Sequence, residues 1–348
     1  VEPGTAWPLA RHKDWRRMGA MVLFSSCRRV RVAEVNLGNV CNWTLHLHDC
    51  DHVQVRDVVI ENPAQAPNSD GIDITGCQNV TVSGCHIDTG DDAICIKTLP
   101  GGRPAENIQV SHCILRTHCV ALKLGATESF QDMRCISFSD CVVRGSHRAV
   151  GLYSLEGGML EQIRVENVVF DTCAALMFPR PIHVDIRRHR PQSRLGGLRG
   201  LYVQGLSGMT QGRCVITAEA GAVCEDLVFK DIHLQYPVIE DPAHQAKEHG
   251  GTQFSNQTPW ARTARALWVF ENVRRCRLES VSLRWPEGPA PAAWQPETKL
   301  ANGTHRLFVP EDWEARPGTV FAAVASKNLI ESQIDPSLLE AEWEVPAS

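Results

Sequence analysis

Two short segments place acidic side chains beside alternating apolar residues, and they are the parts of the chain best suited to chemistry. Asp70 lies in an Asn-Ser-Asp-Gly sequence, and Asp91 and Asp92 follow in Gly-Asp-Asp. Carboxylates that lie close together repel one another, so at least one of them is expected to have a raised pKa. A protonated acid beside an ionised base is the pair that hydrolysis of a glycosidic bond requires.

The apolar residues next to these acids predict how the segments align. Alternation of period two is typical of β-strands, and the inward pairs would be Ile72/Ile74, Ile94/Ile96, Val120/Leu122 and Val150/Leu152. The residues two positions before each pair would then be neighbours in one outward column: Asp70, Asp92, His118 and Arg148. A second outward column would contain Thr75, Lys97, Lys123 and Tyr153.

Two other interpretations of the acidic segments stay open. Asp-Gly and Gly-Asp-Asp are also common in the turns between strands. Clustered oxygen atoms also suit a calcium ion, although the nearby His118 and Arg148 argue against a cation site.

The elements that must position these residues belong to a repeat. Pairs of apolar residues separated by one residue recur about every 23–28 residues along the first half of the chain. Repeats of this length, made of short strands and without a helical period, are typical of a solenoid of β-coils. We therefore predict an all-β fold, a right-handed parallel β-helix. The repeating pairs are Val30/Val32, Val53/Val55, Val80/Val82, Ile108/Val110, Ile136/Phe138 and Ile163/Val165, followed by Leu201/Val203, Leu227/Phe229 and Cys276/Leu278.

The cysteines fall into step with the same repeat. Cys85, Cys113 and Cys141 each come just after an apolar pair, and consecutive strands of a sheet lie about 4.8 Å apart. Stacked buried thiols are the favoured interpretation, and a disulfide between two of them is the alternative.

Composition and charge narrow the range of functions. The chain has 348 residues, 43% of them hydrophobic, with a net charge of −5 and 14 cysteines. A protein that binds nucleic acid would need a basic excess that is missing here. We also expect no membrane partner, because no apolar run of about 18 residues occurs.

The acidic motifs resemble those of the polygalacturonase family of glycoside hydrolases (family 28). That family has Asn-Thr-Asp, Gly-Asp-Asp, Gly-His-Gly and Arg-Ile-Lys motifs. Residues 68–70 and 90–92 are similar to the first two, and residues 117–119 keep the histidine but neither glycine. The position of the fourth motif reads Gly151-Leu152-Tyr153, so the arginine and lysine that hold galacturonate in the family are absent. The resemblance covers roughly residues 20–240.

The resemblance implies an inverting hydrolase of a pectin-type polysaccharide. Asp91 would be the general acid, and Asp70 and Asp92 would hold and deprotonate the attacking water. No metal and no organic cofactor is expected. The protein would be a secreted or periplasmic monomer that acts on a plant cell-wall polysaccharide. The candidate substrate-binding residues are Asn68, Lys97, His118, Lys123, Arg148 and Tyr153, of which Arg148 and the two lysines would replace the missing positive charge.

We predict a single β-helical domain over residues 1–348. Its parts are an N-terminal cap or lead-in at 1–21, coils over 22–285 with inserted loops at 177–200 and 237–265, and a C-terminal cap or tail at 286–348. Three other functions remain possible on this fold. They are a polysaccharide lyase that uses calcium and a basic residue, a non-catalytic carbohydrate-binding protein, and a hydrolase of rhamnogalacturonan or of a pectin side chain.

Overall fold

A computed structural model shows a chain that winds into a parallel β-helix, and the predicted right-handed fold is confirmed. The structure describes residues 19–64, 66–172, 179–210, 212–236, 258, 260–261, 264, 266–284 and 320–344. Within these ranges, no helix is long and apolar enough to cross a membrane.

Strands form most of the described chain. The strands are β1 (Val22–Ser25), β2 (Arg28–Ala33), β3 (Asn36–Gly38), β4 (Leu45–His48), β5 (Asp51–Arg56), β6 (Val59–Glu61), β7 (Ile72–Thr75), β8 (Gln78–Ser83), β9 (His86–Thr89), β10 (Ile94–Thr98), β11 (Ala105–Ser111), β12 (Ile114–Thr117), β13 (Val120–Ser129), β14 (Met133–Ser139), β15 (Val142–Ser146), β16 (Arg148–Ser154), β17 (Met159–Thr172), β18 (Arg180–Ile186), β19 (Gly197–Thr210), β20 (Cys214–Ala218), β21 (Val223–Gln235), β22 (Ala266–Arg284), β23 (Val320–Ile330), β24 (Gln333–Ile334) and β25 (Glu342–Glu344). A short helix, α1 (Pro336–Leu339), begins after Asp335, whose carboxylate accepts a hydrogen bond from the Ser337 amide.

Each coil crosses three faces, and each strand pairs in parallel with the equivalent strand of the next coil. The first face is formed by β1, β4, β7, β10, β13, β16, β18 and β20, and then by the start of β22 and by β23. The second face contains β2, β5, β8, β11 and β14, and the third contains β3, β6, β9, β12 and β15. From β17 onward, single long strands run across both of these faces.

The predicted apolar pairs form the ladder of the second face. Val30 pairs with Val53, Val53 with Val80, and the series continues without a break to Leu227 and Cys276. These side chains point into the coil and are buried in one continuous core. Burial of each such side chain contributes about 1.5–3 kcal/mol, so the repeated ladder stabilises the coils whose first face carries the aspartates.

The cysteine prediction is confirmed in its favoured form. Cys85, Cys113 and Cys141 are buried free thiols on consecutive coils. Their backbone carbonyls accept hydrogen bonds from the next coil. The Ile114 amide donates to Cys85, and the Val142 amide donates to Cys113. All thirteen cysteines of the described ranges are free.

Two predicted boundaries are wrong. The segment 177–200 was expected to be a loop, but Arg180–Ile186 is a strand of the first face and Gly197 already begins β19. Arginine and proline at the start of β18 conceal the alternation of three buried residues, Ile182, Val184 and Ile186.

The coils also continue beyond their predicted end at residue 285. Strand β23 pairs in parallel with β22, with Ala322 opposite Ala266. The final strand, β25, returns antiparallel to β23. The predicted cap at 1–21 falls largely outside the described residues, as do most of the loop at 237–265 and the first part of the tail, 286–319.

Candidate active site

The carboxylates lie together on the outer side of the first face. Ile72 pairs with Ile94, so Asp70 and Asp92 occupy equivalent positions on adjacent coils, as the sequence predicts. Asp91 precedes Asp92 in the turn before β10. All three aspartates are nearly buried, with 2% to 5% of their surface exposed. The three aspartates lie just before β7 and β10, and the parallel pairing of these strands fixes their positions.

The predicted alignment of the third segment is wrong by two residues. Ile94 pairs with Leu122 rather than with Val120, so Val120 follows Asp92 in its column and Arg148 comes next. The segment offers three alternating apolar residues, Val120, Leu122 and Leu124. The coil from Ile94 is longer than the one before it, so Leu122 and Leu124, rather than Val120 and Leu122, pair with Ile94 and Ile96.

This shift moves His118 out of the aspartate column. His118 precedes β13, and its ring stacks on the buried His147 with the centroids 6.3 Å apart. Burial lowers the pKa of His118, and Arg116 lowers it further. His118 therefore does not share the register of Asp70 and Asp92.

The predicted second column is also divided in two. Lys97 shares its register with Thr75, as expected, and the next coil places Gly125 opposite Tyr153. Lys123 belongs to a different column, in which it pairs with Cys95 on one side and Gly151 on the other. We call this second set the lysine column. It consists of His46, Asp73, Cys95, Lys123, Gly151 and His183.

Lys97 joins two carboxyl groups on the preceding coil. Its ammonium donates to Asp70 at 3.0 Å and also to Asp73, which is completely buried. Burial raises the pKa of Asp70, and burial together with Asp70 raises that of Asp73 well above its usual range. One ammonium thus serves two buried carboxyl groups, and each makes ionisation of the other less favourable. Asp73 is a site residue that the sequence reasoning missed.

Lys123 forms the corresponding contact with Asp92. Its ammonium donates to one carboxylate oxygen of Asp92, and the Val120 amide donates to the other at 3.2 Å. Burial lowers the pKa of Lys123, but the Asp92 charge outweighs it and holds the pKa well above the usual range. The Asp92 carboxylate therefore accepts hydrogen bonds from an ammonium and a backbone amide together.

Asp91 makes no ion pair among the described residues. One of its oxygens accepts a hydrogen bond from the Asp92 amide at 2.9 Å, and the other lies 3.4 Å from the Asn68 side-chain nitrogen. Burial, and then the charges of Asp70 and Asp92, raise the pKa of Asp91 to about 8. At neutral pH Asp91 thus holds a proton, beside two carboxyl groups that contact lysine ammonium groups.

Two of the aspartates and a cysteine lie close enough together to be considered as a metal site. Ligand atoms of Asp91, Asp92 and Cys119 all lie within 4.8 Å of one another. The donor set does not suit calcium, because that ion prefers six or more oxygen ligands, whereas one of these three donors is a buried thiol and Lys123 already contacts Asp92.

An aromatic ring closes one end of the cluster. Trp43 lies in the turn before β4, one coil before Asp70, and the Lys97 ammonium sits 3.9 Å from the centroid of its ring. Such a cation–π contact favours the charged form of Lys97. The half-buried face of Trp43 also suits contact with a sugar ring, although its position could not be distinguished from that of other tryptophans in the sequence.

The other end contains a chain of hydrogen-bonding side chains. Arg148 donates to the Tyr153 hydroxyl at 3.1 Å, and that hydroxyl lies 3.3 Å from Nδ1 of His183. On the same strand as His183, Asp185 accepts a hydrogen bond from Arg187 at 2.9 Å. Arg148 and Tyr153 were predicted site residues, whereas His183 was concealed within the segment interpreted as a loop.

The chain is similar to known proteins in sequence and in fold. A sequence model described as "Glycosyl hydrolases family 28" matches residues 4–249. Among curated relatives, the endo-polygalacturonase of Pectobacterium carotovorum subsp. carotovorum is 22% identical over 218 residues, which cover 62% of this chain and 52% of the relative. A polygalacturonase of Malus domestica is 22% identical over 224 residues, covering 62% and 47%.

Two solved structures share the fold. An exopolygalacturonase from Thermotoga maritima matches with a TM-score of 0.54 and 22% identity over 62% of this chain and 50% of its own. The family 28 exopolygalacturonase of Yersinia enterocolitica matches with a TM-score of 0.58 and 12% identity over 88% and 46%. The chain therefore spans about half the length of the relatives that it matches.

Proposed function

Because the chain belongs to glycosyl hydrolases family 28, we propose that it hydrolyses a pectin-type polysaccharide by an inverting acid–base mechanism. The observation that carries this proposal is the division of the carboxyl groups. Lysines hold Asp70 and Asp92, while Asp91 stands beside them without a lysine partner among the described residues and with a raised pKa.

Asp91 acts in this proposal as the general acid. Hydrolysis of a glycoside needs a proton on the leaving oxygen, and an acid that stays protonated near neutral pH supplies it. The pKa of about 8 keeps the proton on Asp91, and its amide hydrogen bond from Asp92 fixes the orientation of the carboxyl group.

Asp70 and Asp92 act together on the attacking water. In an inverting enzyme the acid and the base stand about 6.5–9.5 Å apart, which leaves room for the water. Asp70 and Asp92 occupy equivalent positions on adjacent coils beside Asp91, so we assign the holding and the deprotonation of the water to the two together. The ammonium of Lys97 supports this role, because it stabilises the ionised form of Asp70.

The lysines also favour hydrolysis over calcium-dependent elimination. A calcium ion needs several anionic oxygens with free lone pairs. In the described cluster, ammonium groups contact Asp70, Asp73 and Asp92 instead.

The polymer itself belongs to the same proposal. Polygalacturonan is the substrate named for the relatives, and rhamnogalacturonan and pectin side chains are the alternatives that share its chemistry. A secreted or periplasmic monomer fits a substrate that lies in the plant cell wall.

Incubation with polygalacturonan and rhamnogalacturonan, separately and with or without EDTA, tests the proposed function. We expect new reducing ends from one of the polymers, no ultraviolet absorbance from an unsaturated product, and no effect of EDTA. An unsaturated product would mean a lyase, and the absence of any product from both polymers and from pectin side chains would refute the hydrolase.

A further inference from the structure

The outer side of the first face is exposed at one end of the described coils and buried over the rest. The register of the lysine column continues to Leu23 of β1 and to Val215 and Val269 of β20 and β22. Leu23 is 56% exposed and His46 is half-buried, whereas every later member of the column is buried. This column therefore passes from solvent to the interior of the protein at the coil that carries Asp70.

The neighbouring outward column shows the same change. Ser25 is exposed and His48 is half-buried. On the later coils, the described members of this column are buried: Thr75, Lys97, Tyr153, Asp185, Thr217 and Glu271. Charged side chains that point away from the core of a coil become buried only where other parts of the protein cover them. The first face is thus covered from the coil of β7 to that of β22.

A segment after β21 lies over the last of these coils. Ala261 is completely buried and packs with Val215 and Val269 on the outer side of the first face. Trp260 and Ala264 pack against the same cluster. Apolar contacts thus hold this short segment directly on β20 and β22.

Hydrogen bonds attach the same segment at two points. The Ala264 carbonyl accepts a hydrogen bond from the Arg213 guanidinium at 2.6 Å, and the Thr258 hydroxyl donates to the Glu271 carboxylate. Arg213 lies just before β20, and Glu271 lies within β22. The segment is therefore fixed across both strands. We define the cover as Thr258, Trp260, Ala261 and Ala264.

The covered part of the face includes the charged groups of β18. Arg180, at the start of the strand, is buried. Arg187 follows the strand directly, and its guanidinium donates to the buried Asp185 at 2.9 Å. The charges beside His183 therefore belong to the wall that closes the face and offer no open groove to a polymer.

Partly exposed side chains remain on the coils next to the aspartates. Trp43, Asn68 and His118 are half-buried, and they lie in the turns before β4, β7 and β13. Asp91 is the most exposed of the three aspartates, and its carboxyl group lies 3.4 Å from the Asn68 side-chain nitrogen. A substrate therefore reaches Asp91 at the edge of the covered part.

A polysaccharide that is cut in the middle of its chain needs free space on both sides of the reacting bond. The described first face offers that space on the side of β1 and β4 and is closed on the side of the later coils. We propose that this protein acts on the end of its polysaccharide and releases a mono- or disaccharide, with the cover as part of the wall that stops the polymer. This inference rests on the proposed function, because it describes how the same site meets its substrate.

Each turnover adds one water molecule to the terminal glycosidic bond. The oxygen of the water bonds to the anomeric carbon as the glycosidic bond breaks, and the leaving oxygen takes the proton of Asp91. The proton that the water gives up to Asp70 and Asp92 passes to solvent, from which Asp91 is protonated again.

The products of the wild-type chain test this mode of attack. Polygalacturonan and rhamnogalacturonan are digested separately, and viscosity, reducing ends and product lengths are followed together. Mild acid hydrolysis of the same polymer, which cuts at random, is the reference. We expect the same mono- or disaccharide from the first time point onward, and a smaller loss of viscosity for each new reducing end than acid causes.

Binding supplies a measure that does not need turnover. The Asp91→Asn protein is titrated calorimetrically with short and long chains of the same polymer. A site that holds a chain end binds one protein per chain, so the number of sites per mass of polymer should fall in inverse proportion to chain length. An open groove would bind many proteins along each long chain, and the number of sites per mass would stay constant.

Variants of the cover test its part in the closure. Ala261→Glu places a carboxylate against Val215 and Val269, so the segment should lift from the strands and products longer than a disaccharide should appear. Thr258→Val removes only a hydrogen bond of the cover and should have a smaller effect in the same direction. Val169→Glu is the matched control, because Val169 is 55% exposed on the third face, and it should release the wild-type products.

The outcomes separate this inference from the proposed function. A series of intermediate lengths at the first time point, or a loss of viscosity equal to that in acid, would overturn attack at the chain end and keep the hydrolase. One protein bound per chain without hydrolysis by the wild-type chain would keep the closed face and refute the hydrolase. A constant number of sites per mass, or no binding to either polymer, would overturn the closed face. Unchanged products from both cover variants would overturn the role of the cover.

Discussion

Replacement of Asp91 by asparagine separates chemistry from stability. Asparagine has nearly the same shape and still accepts the hydrogen bond from the Asp92 amide, but it supplies no proton. Loss of a general acid typically reduces turnover about 10²–10⁴-fold. We therefore expect kcat to fall by that factor on whichever polymer the wild-type chain hydrolyses.

The same variant should be more stable than the wild type at neutral pH. The pKa of Asp91 is about 8 in the folded protein, whereas an ordinary aspartate has a pKa of 3.8, so the folded chain binds more protons between these values. Stability supplied by this group is fully present below about pH 4 and is lost as pH rises towards 8. At pH 7 the loss is on the order of 4 kcal/mol, at 1.36 kcal/mol for each pH unit. Asparagine does not ionise, so it removes this cost.

Chemical unfolding at several pH values, together with reducing-end assays, measures both effects. The difference in unfolding free energy between variant and wild type should grow from pH 4 to pH 8. Asp88→Asn is the matched control, because Asp88 is an exposed carboxylate that pairs with Arg116 on the third face. Near-normal turnover of the Asp91→Asn protein, or a stability difference that does not depend on pH, would refute the assignment of the acid.

Two further predictions concern the contacts of the cluster, and a third concerns the free cysteines. Lys123→Met should lower the free energy of unfolding by about 3–5 kcal/mol, because it leaves Asp92 buried without its ammonium. Urea denaturation measures this loss, and a much smaller loss would contradict a buried ion pair. Asp73→Asn should shift the acidic limb of the kcat/KM profile to lower pH, since Lys97 then neutralises Asp70 alone, and an unchanged limb would argue against a role of Asp70 in deprotonating the water. Alkylation of the unfolded, unreduced chain should modify every cysteine of the described ranges. A disulfide found among them by mass spectrometry would contradict the free thiols on consecutive coils.

Most of the scaffold could be predicted from the sequence because its signal is local and repeated. The alternation from Val30 to Cys276 sets the register of the second face, and each coil repeats the same requirement. The Gly-Asp-Asp turn lies directly before a strand of the first face, so its position relative to Asp70 also followed from nearby residues.

The predictions that were wrong or missing depend on the length of individual coils and on contacts between coils. A coil with three alternating apolar residues permits two alignments, and the sequence offered no means of choosing the one that excludes His118. Asp73 looked like an ordinary outward residue of a strand, because its partner Lys97 lies on another coil. The alternation of Ile182, Val184 and Ile186 predicts the strand that carries His183, but the prolines and arginines around it conceal this pattern.

The configuration of the first product tests the mechanism most directly. A proton NMR spectrum recorded during the first minutes of hydrolysis, before mutarotation, shows which anomer is released. An acid at Asp91 and a water held by Asp70 and Asp92 predict inversion at the anomeric carbon, so an α-linked substrate should release the β-anomer. Release of the α-anomer would mean a covalent intermediate on one of the aspartates and would contradict the roles assigned to them.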